Sequence, residues 1–197
     1  MNAKDSIEIR LLILDDLENW LEQCEIIDSE SGKNDIYFGP YSTNDAFPTD
    51  EIRERTIDRW GKSKDLPNWR RAWGIFHQDK IVGNAQIAAG ELPTNLHRVD
   101  LGIGILKEYR NKGLGKRLLN TVIQWCREEP SVHWIDLGVF NGNKNAKALF
   151  EKVGFKEIGF IEDCWLIDGK SISNTSMAIN VKYRIKPRTR GVFCLYS

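Results

Sequence analysis

Gly113 and Gly115 stand among Arg110, Lys112, Lys116 and Arg117, directly after the apolar run LGIGIL at residues 101–106. Glycine weakens a helix and clustered like charges repel one another. Both costs are offset if the turn holds an anion. Glycines between a strand and a helix leave backbone N–H groups uncovered, and the helix dipole adds about half a positive charge at the same place. A phosphate or pyrophosphate suits that combination. Two common phosphate loops are excluded. The P-loop needs a glycine five residues before its Gly-Lys pair and Ser or Thr after it; Arg110 and Arg117 occupy those positions. The dinucleotide fingerprint fails too, because GIGILK ends in Lys107.

The elements around the turn are legible. HRVDLGIGIL predicts a strand, with Leu101, Ile103 and Ile105 on one face and Asp100, Gly102 and Gly104 on the other. Leu114, Leu118, Leu119, Val122, Ile123 and Cys126 then recur at helical spacing, and Pro130 closes that helix. HWIDLGVF is a second strand, so strand, helix and strand form a βαβ unit whose two strands run parallel. NGNKNAKALFEKVGF is a shorter helix, with Asn143 as cap and Gly154 at its left-handed end. KEIGFIEDCWLI and ISNTSMAINVKY close the domain as a hairpin around Asp-Gly. Upstream, SIEIRLLIL predicts a strand. DDLENWLEQCEIID follows as a helix capped by Asp15 or Asp16, and TDEIRERTIDRWGK as a helix capped by Thr49 or Asp50. RAWGIFHQ and KIVGNAQIAAGEL form another hairpin. Residues 28–50 read as a long surface loop, of the kind that is often functional.

The whole is an α/β protein, a twisted, mostly antiparallel mixed sheet with helices on both faces. A chain of 197 residues carries one domain with a substantial core, placed at 1–182, with the basic tail 183–197 unassigned. Lys plus Arg and Asp plus Glu number 28 each, so bulk charge favours neither nucleic acid nor an anionic membrane. The start MNAKDSIEIR lacks the apolar core of a secretion signal, and no apolar stretch approaches the roughly 20 residues of a membrane span. The cysteines form no CxxC pair and have no metal-ligand spacing, so no metal is expected. They read as reduced thiols of a cytoplasmic protein.

YRNKGLG follows Arg/Gln-x-x-Gly-x-Gly/Ala, and NGNKNAKALFEKVGF follows Asn-x-x-Ala-x-x-x-Tyr/Phe-x-x-x-Gly-Phe. In these two motifs, and in the strand between them, the chain resembles the GCN5-related N-acetyltransferase (GNAT) superfamily. HRVDLGIGIL and the closing hairpin look like the branch that acetylates small amines, amino acids or protein N-termini. The resemblance implies the GNAT fold and transfer of acetyl from acetyl-coenzyme A to a primary amine by direct attack in a ternary complex. The acceptor would be a small-molecule amine or a peptide N-terminus, and the protein a monomer or homodimer. A second reading, a CoA-binding module without turnover, rests on Phe150, where many members carry a Tyr that serves as acid toward the leaving sulfur.

Residue by residue, the resemblance implies that the pantetheine arm bonds the backbone around Ile103, Gly104 and Ile105. The pyrophosphate takes N–H groups of Asn111, Lys112, Gly113, Leu114, Gly115 and Lys116, with Arg110 adding charge. Asn141 or Asn145 bonds the cofactor arm, and Phe150 lines the thioester end. The attacking amine must be neutral. Deprotonation at pH 7 costs about 4.6 kcal/mol for an alkylamine but about 1.4 kcal/mol for an α-amine, so the need for a general base depends on the acceptor. Asp100 is the expected base, with Glu91 and His97 as alternatives. The acceptor pocket is expected from the first two helices, their loop and the last hairpin. That would bring in Tyr37, Phe38, Tyr41, Trp60, Trp69, Trp73 and Trp165.

Overall fold

Alternation of apolar residues produces the sheet, and one interruption in its hydrogen bonding produces the cleft. The computed structural model describes residues 6–182; the tail 183–197, with Cys194, lies outside the described residues. Strands β1 (Glu8–Leu11), β2 (Arg70–His77), β3 (Lys80–Ala89), β4 (Arg98–Ile105), β5 (Trp134–Phe140), β6 (Lys156–Ile167) and β7 (Lys170–Asn180) form one sheet in the order β1-β2-β3-β4-β5-β7-β6. Every neighbouring pair is antiparallel except β4 and β5. The mixed sheet expected from the sequence is therefore present. Gln78 and Asp79, both at positive φ, make the two-residue turn of the β2–β3 hairpin.

Among the described residues four α-helices cover the sheet: α1 (Leu17–Asp28), α2 (Thr49–Gly61), α3 (Leu114–Glu128) and α4 (Lys144–Val153). The apolar stripe of α3, Leu114 to Cys126, is buried as its spacing predicts, against Val99, Leu101, Ile135, Leu137 and Val139. On the opposite face α1 and α2 enclose a smaller core of Leu17, Trp20, Leu21, Trp60, Ala72 and Phe76. Asn143 caps α4 by accepting from the Ala146 N–H at 3.1 Å, and Gly154 ends it at φ 108°. The caps expected on the first two helices are not made. Asp16 instead accepts from the Ile13 N–H and takes both ends of the Arg10 guanidinium. Pro48 precedes α2, leaving Thr49 and Asp50 inside its first turn, where Asp50 pairs with Arg53.

The parallel ladder is short. Arg98 pairs with Trp134, Val99 with Ile135 and Asp100 with Asp136, and there it stops. Beyond that point β4 remains bonded to β3 as far as Ile105, and β5 to β7 as far as Phe140. The two facing edges part, with Asp100 and Asp136 at the apex.

Candidate active site

The glycine turn leaves a run of backbone N–H groups uncovered at the start of α3. Gly113 sits at φ 78°, a left-handed backbone that glycine adopts without strain, and a Cβ there would meet open space. Asn111 is left-handed as well, at φ 61°. The first bond of α3 runs from the Arg117 N–H to the Gly113 carbonyl, at 3.1 Å. Preceding it, the N–H groups of residues 111–116 have no hydrogen-bond partner among the described residues. Lys112 and Lys116 are exposed beside them, without an ion pair among the described residues. Gly115 has a different reason: a Cβ there would lie 3.0 Å from Leu149 and 3.3 Å from Ile105. Its bareness lets α3 pack on α4 and β4.

Arg110 turns the other way. Its Nε donates to the Ile105 carbonyl at 2.7 Å, Nη2 pairs with Glu30 at 2.6 Å, and the guanidinium lies 5.3 Å from the centre of the Phe38 ring. Its charge is already partnered, and it ties the end of β4 to the loop after α1. Among the described residues Lys112, Lys116 and Arg117 carry no ion pair, and the Lys112 ammonium lies 5.4 Å from the Tyr109 ring centre.

Ile103, Gly104 and Ile105 form the β4 side of the parting, half-buried. Gly104 admits Ile27 of α1, which lies 3.3 Å from the position of a Cβ. On the β5 side, the Asn141 N–H extends the ladder to the Ser173 carbonyl at 2.9 Å, and its side chain borders a cleft of about 490 Å³ shared with Tyr37, Gly142 and Lys170. Asn145 is exposed in the first turn of α4. Phe150 is 5% exposed and meets Phe155 edge-on at 5.7 Å, within the main core.

At the apex the two carboxylates are treated differently. Arg98 grips Asp136 with two bonds, Nε at 2.8 Å and Nη2 at 2.5 Å. Asp100 has no such partner. It keeps solvent contact, yet the atoms crowding the cleft strip enough hydration to raise its pKa above the ordinary carboxylate value. The Asp136 charge raises it further, while Arg98 pulls it down. A carboxylate shifted upward is a better proton acceptor at neutral pH. Of the alternatives, Glu91 is exposed beyond β3, and His97 stacks edge-on against His133 at 5.7 Å.

The seven aromatics do not come together. Trp69 and Trp73 are buried on the α3 side, where Trp125 stacks against both. Trp60 packs with Trp20 in the smaller core, and Tyr37 is buried with Ile167 and Ile172. Phe38, Tyr41 and Trp165 remain at the surface. Most are core, because an indole buries more apolar area than a loop can leave open. In contrast, the sequence reading missed Asp136 and Arg98. Their signal was available: HRVDLG (97–102) and HWIDLG (133–138) share His-x-aliphatic-Asp-Leu-Gly, and the structure pairs them in that register.

Unbonded N–H groups at a helix start thus open onto two parted parallel strands with a carboxylate at their apex. Residues 15–155 match the model of the acetyltransferase (GNAT) family, and the chain belongs to that family of N-acetyltransferases. It is 29% identical over 132 residues to the L-amino acid N-acetyltransferase AaaT of Escherichia coli strain K12, covering 66% of this chain and 76% of that one. To the [ribosomal protein uS5]-alanine N-acetyltransferase of the same organism it is 28% identical over 100 residues, half of this chain and 51% of that enzyme. The fold matches that of yncA from Salmonella typhimurium, solved with its cofactor acetyl-CoA, at a TM-score of 0.74 and 15% identity over 94% of this chain and 99% of that one.

Proposed function

We propose that the chain acetylates a primary amine with acetyl-CoA, with the cradle at 111–116 holding the cofactor's pyrophosphate and Asp100 accepting the proton from the attacking amine. The observation that carries this reading is the run of unbonded N–H groups beside Lys112 and Lys116, next to strands that part at Asp100. The residues fit the cofactor: a doubly charged diphosphate satisfies the orphan donors, and the parted strand edges offer the backbone groups a pantetheine amide needs. When bound, the cofactor supplies an activated acyl carbon. The rest is the chain's own work. Ile103, Gly104 and Ile105 orient the arm with their backbone, and an N–H of that segment stabilises the negative charge that develops on the carbonyl oxygen. With acetyl-CoA held there, Asp100 would take the amine's surplus proton as the N–C bond forms and the C–S bond breaks, and would pass it to solvent, the sulfur leaving as thiolate. Phe150 gives no proton, which a thiol of pKa about 8.5 tolerates near neutral pH.

A cytoplasmic setting accords with the cysteines: Cys24, Cys126 and Cys164 are free, and burial pushes the first two thiols up to about 12, away from the reactive thiolate. The test is calorimetry of CoA binding to wild type and Gly113→Val, with release of free thiol from acetyl-CoA over a panel of amines. Valine at a positive φ displaces the cradle, and at least tenfold weaker CoA binding with a retained circular dichroism spectrum is expected. Unchanged binding overturns the cradle, and tight binding without thiol release from any amine favours the module without turnover.

A further inference from the structure

Arg70 opens β2 on the sheet face that α1 and α2 cover. The register sets it in one row with Ala88 of β3 and Asp100 of β4. Paired residues share a face, and adjacent strands lie under 5 Å apart, so cation and carboxylate are rooted about 10 Å from each other. The next row is Ala72, Gln86 and Gly102. Small residues thus leave a trough between Arg70 and Asp100, with Gln86 leaning into it. The Gln86 Nε2 lies 3.5 Å from where a Gly102 Cβ would stand, and its Oε1 is buried without a hydrogen-bond partner.

Arg70 is half-buried and lacks the partner that its enclosed atoms need. Its Nε is shut off from water with no partner, and no carboxylate among the described residues pairs with it. Arg55 and Arg59, one turn apart on α2, also have no ion pair among the described residues, and both act on Arg70. Burial first, then those two charges, press its pKa down to about 10. A desolvated guanidinium facing like charges is unfavourable unless an anion joins it. The fork of a guanidinium matches a carboxylate with two parallel bonds.

We propose that this trough is the acceptor site and that the acceptor is a free α-amino acid, its carboxylate held by Arg70 and its amine set between the Gln86 Oε1 and Asp100. The assignment rests on the acetyltransferase reading above and narrows it. A polyamine is repelled by the three arginines, and a peptide N-terminus carries an amide where the carboxylate is required.

The experiment measures thiol release with L-amino acids, their carboxamides, a dipeptide and spermidine, for wild type, Arg70→Met and Arg70→Lys. In parallel, binding of the matching N-acetyl-amino acids to the CoA-loaded protein is followed by calorimetry. Wild type is expected to show at least a tenfold higher kcat/KM for amino acids than for carboxamides. Arg70→Met removes that preference, Arg70→Lys recovers part of it, and CoA affinity stays the same in both. N-acetyl-amino acid binding falls at least tenfold in Arg70→Met and partly returns in Arg70→Lys, which separates a lost anchor from a lost fold. If carboxamides or spermidine are preferred, or both variants discriminate as wild type does, the carboxylate anchor is wrong while acetyl transfer stands. If no amine is acetylated yet N-acetyl-amino acid binding depends on Arg70, the anchor stands and turnover falls.

Discussion

Strands β4 and β5 carry the same six-residue pattern, lie side by side in parallel, and end with different chemistry. In both the histidine precedes the strand, and the two rings stack on each other. The leucines, Leu101 and Leu137, are buried beneath. The aspartates face each other across the last rung. The difference lies one position after each histidine, where β4 has Arg98 and β5 has Trp134. Arg98 reaches across to Asp136 and lies 4.9 Å from the Trp134 ring centre, so it neutralises the neighbour's carboxylate and leaves its own strand's free. Two like charges on one rung would oppose pairing. Spending one cation on one of them makes the rung stable and singles out the other. Two strands nearly alike in sequence thus differ in charge: Asp136 is bonded to Arg98 and Asp100 is not.

Removing the two carboxylates one at a time should break the comparison most visibly. Asp100→Asn is expected to lower kcat by about 10²-fold or more, the usual weight of a general base, with CoA affinity retained. Its stability should move the other way. Asp100 titrates higher folded than unfolded, so its ionisation opposes folding, and stability falls as pH rises between the two values. The asparagine escapes that loss and should match or exceed the wild-type Tm at pH 7. Asp136→Asn should change kcat at pH 7 by no more than about threefold and leave Arg98 unpaired, at a cost of about 1 kcal/mol for a half-exposed pair. Urea denaturation and steady-state rates on the two variants check both. A loss of rate confined to Asp136→Asn would assign the base to the other strand.

A smaller effect sharpens the same contrast through pH. Arg98 holds the Asp100 pKa down and Asp136 holds it up. Arg98→Met should therefore move the acid limb of kcat/KM to higher pH, and Asp136→Asn should move it to lower pH. Displacements in one direction for both variants would show that the limb belongs to another group.

Much of this was legible in local pattern, because it depends on local physics. The α3 stripe, the Asn143 cap, the left-handed Gly154 and the glycine turn that opens α3 follow from spacing within a turn or two. What was hidden depends on distant partners. Nothing near Arg110 announces that Glu30 and Phe38, both far earlier in the chain, will take its charge. The parallel ladder ends at Asp100 while β3 and β7 hold the outer edges of β4 and β5 further on, pairings that join residues far apart in the chain. Arg70 lies in a segment that reads only as a strand, and its row with Asp100 exists only once β2, β3 and β4 are in register. Trp60, Trp69 and Trp73 are core, as aromatics singly tend to be, and which core each fills depends on partners far along the chain.

The twin glycines make the last and smallest test. Gly102 and Gly138 occupy the same place in the pattern, and neither is at a positive φ. A Cβ on Gly102 would meet only the flexible Gln86 amide at 3.5 Å, an ordinary contact, whereas one on Gly138 would come within 2.8 Å of the Asn174 Oδ1. Alanine at Gly102 restricts the unfolded chain without strain and should stabilise by about 0.5 kcal/mol. At Gly138 the Asn174 side chain must swing away, which offsets that gain and leaves Tm at or below wild type. Function should run opposite to stability. The Gly102 methyl fills the trough beside Gln86 and should raise the acceptor KM severalfold, while Gly138→Ala leaves the acceptor KM where it was. Differential scanning calorimetry with acceptor titrations reads both. A Gly102→Ala enzyme that is more stable and keeps its acceptor KM would mean that the amine does not approach across this face of β4.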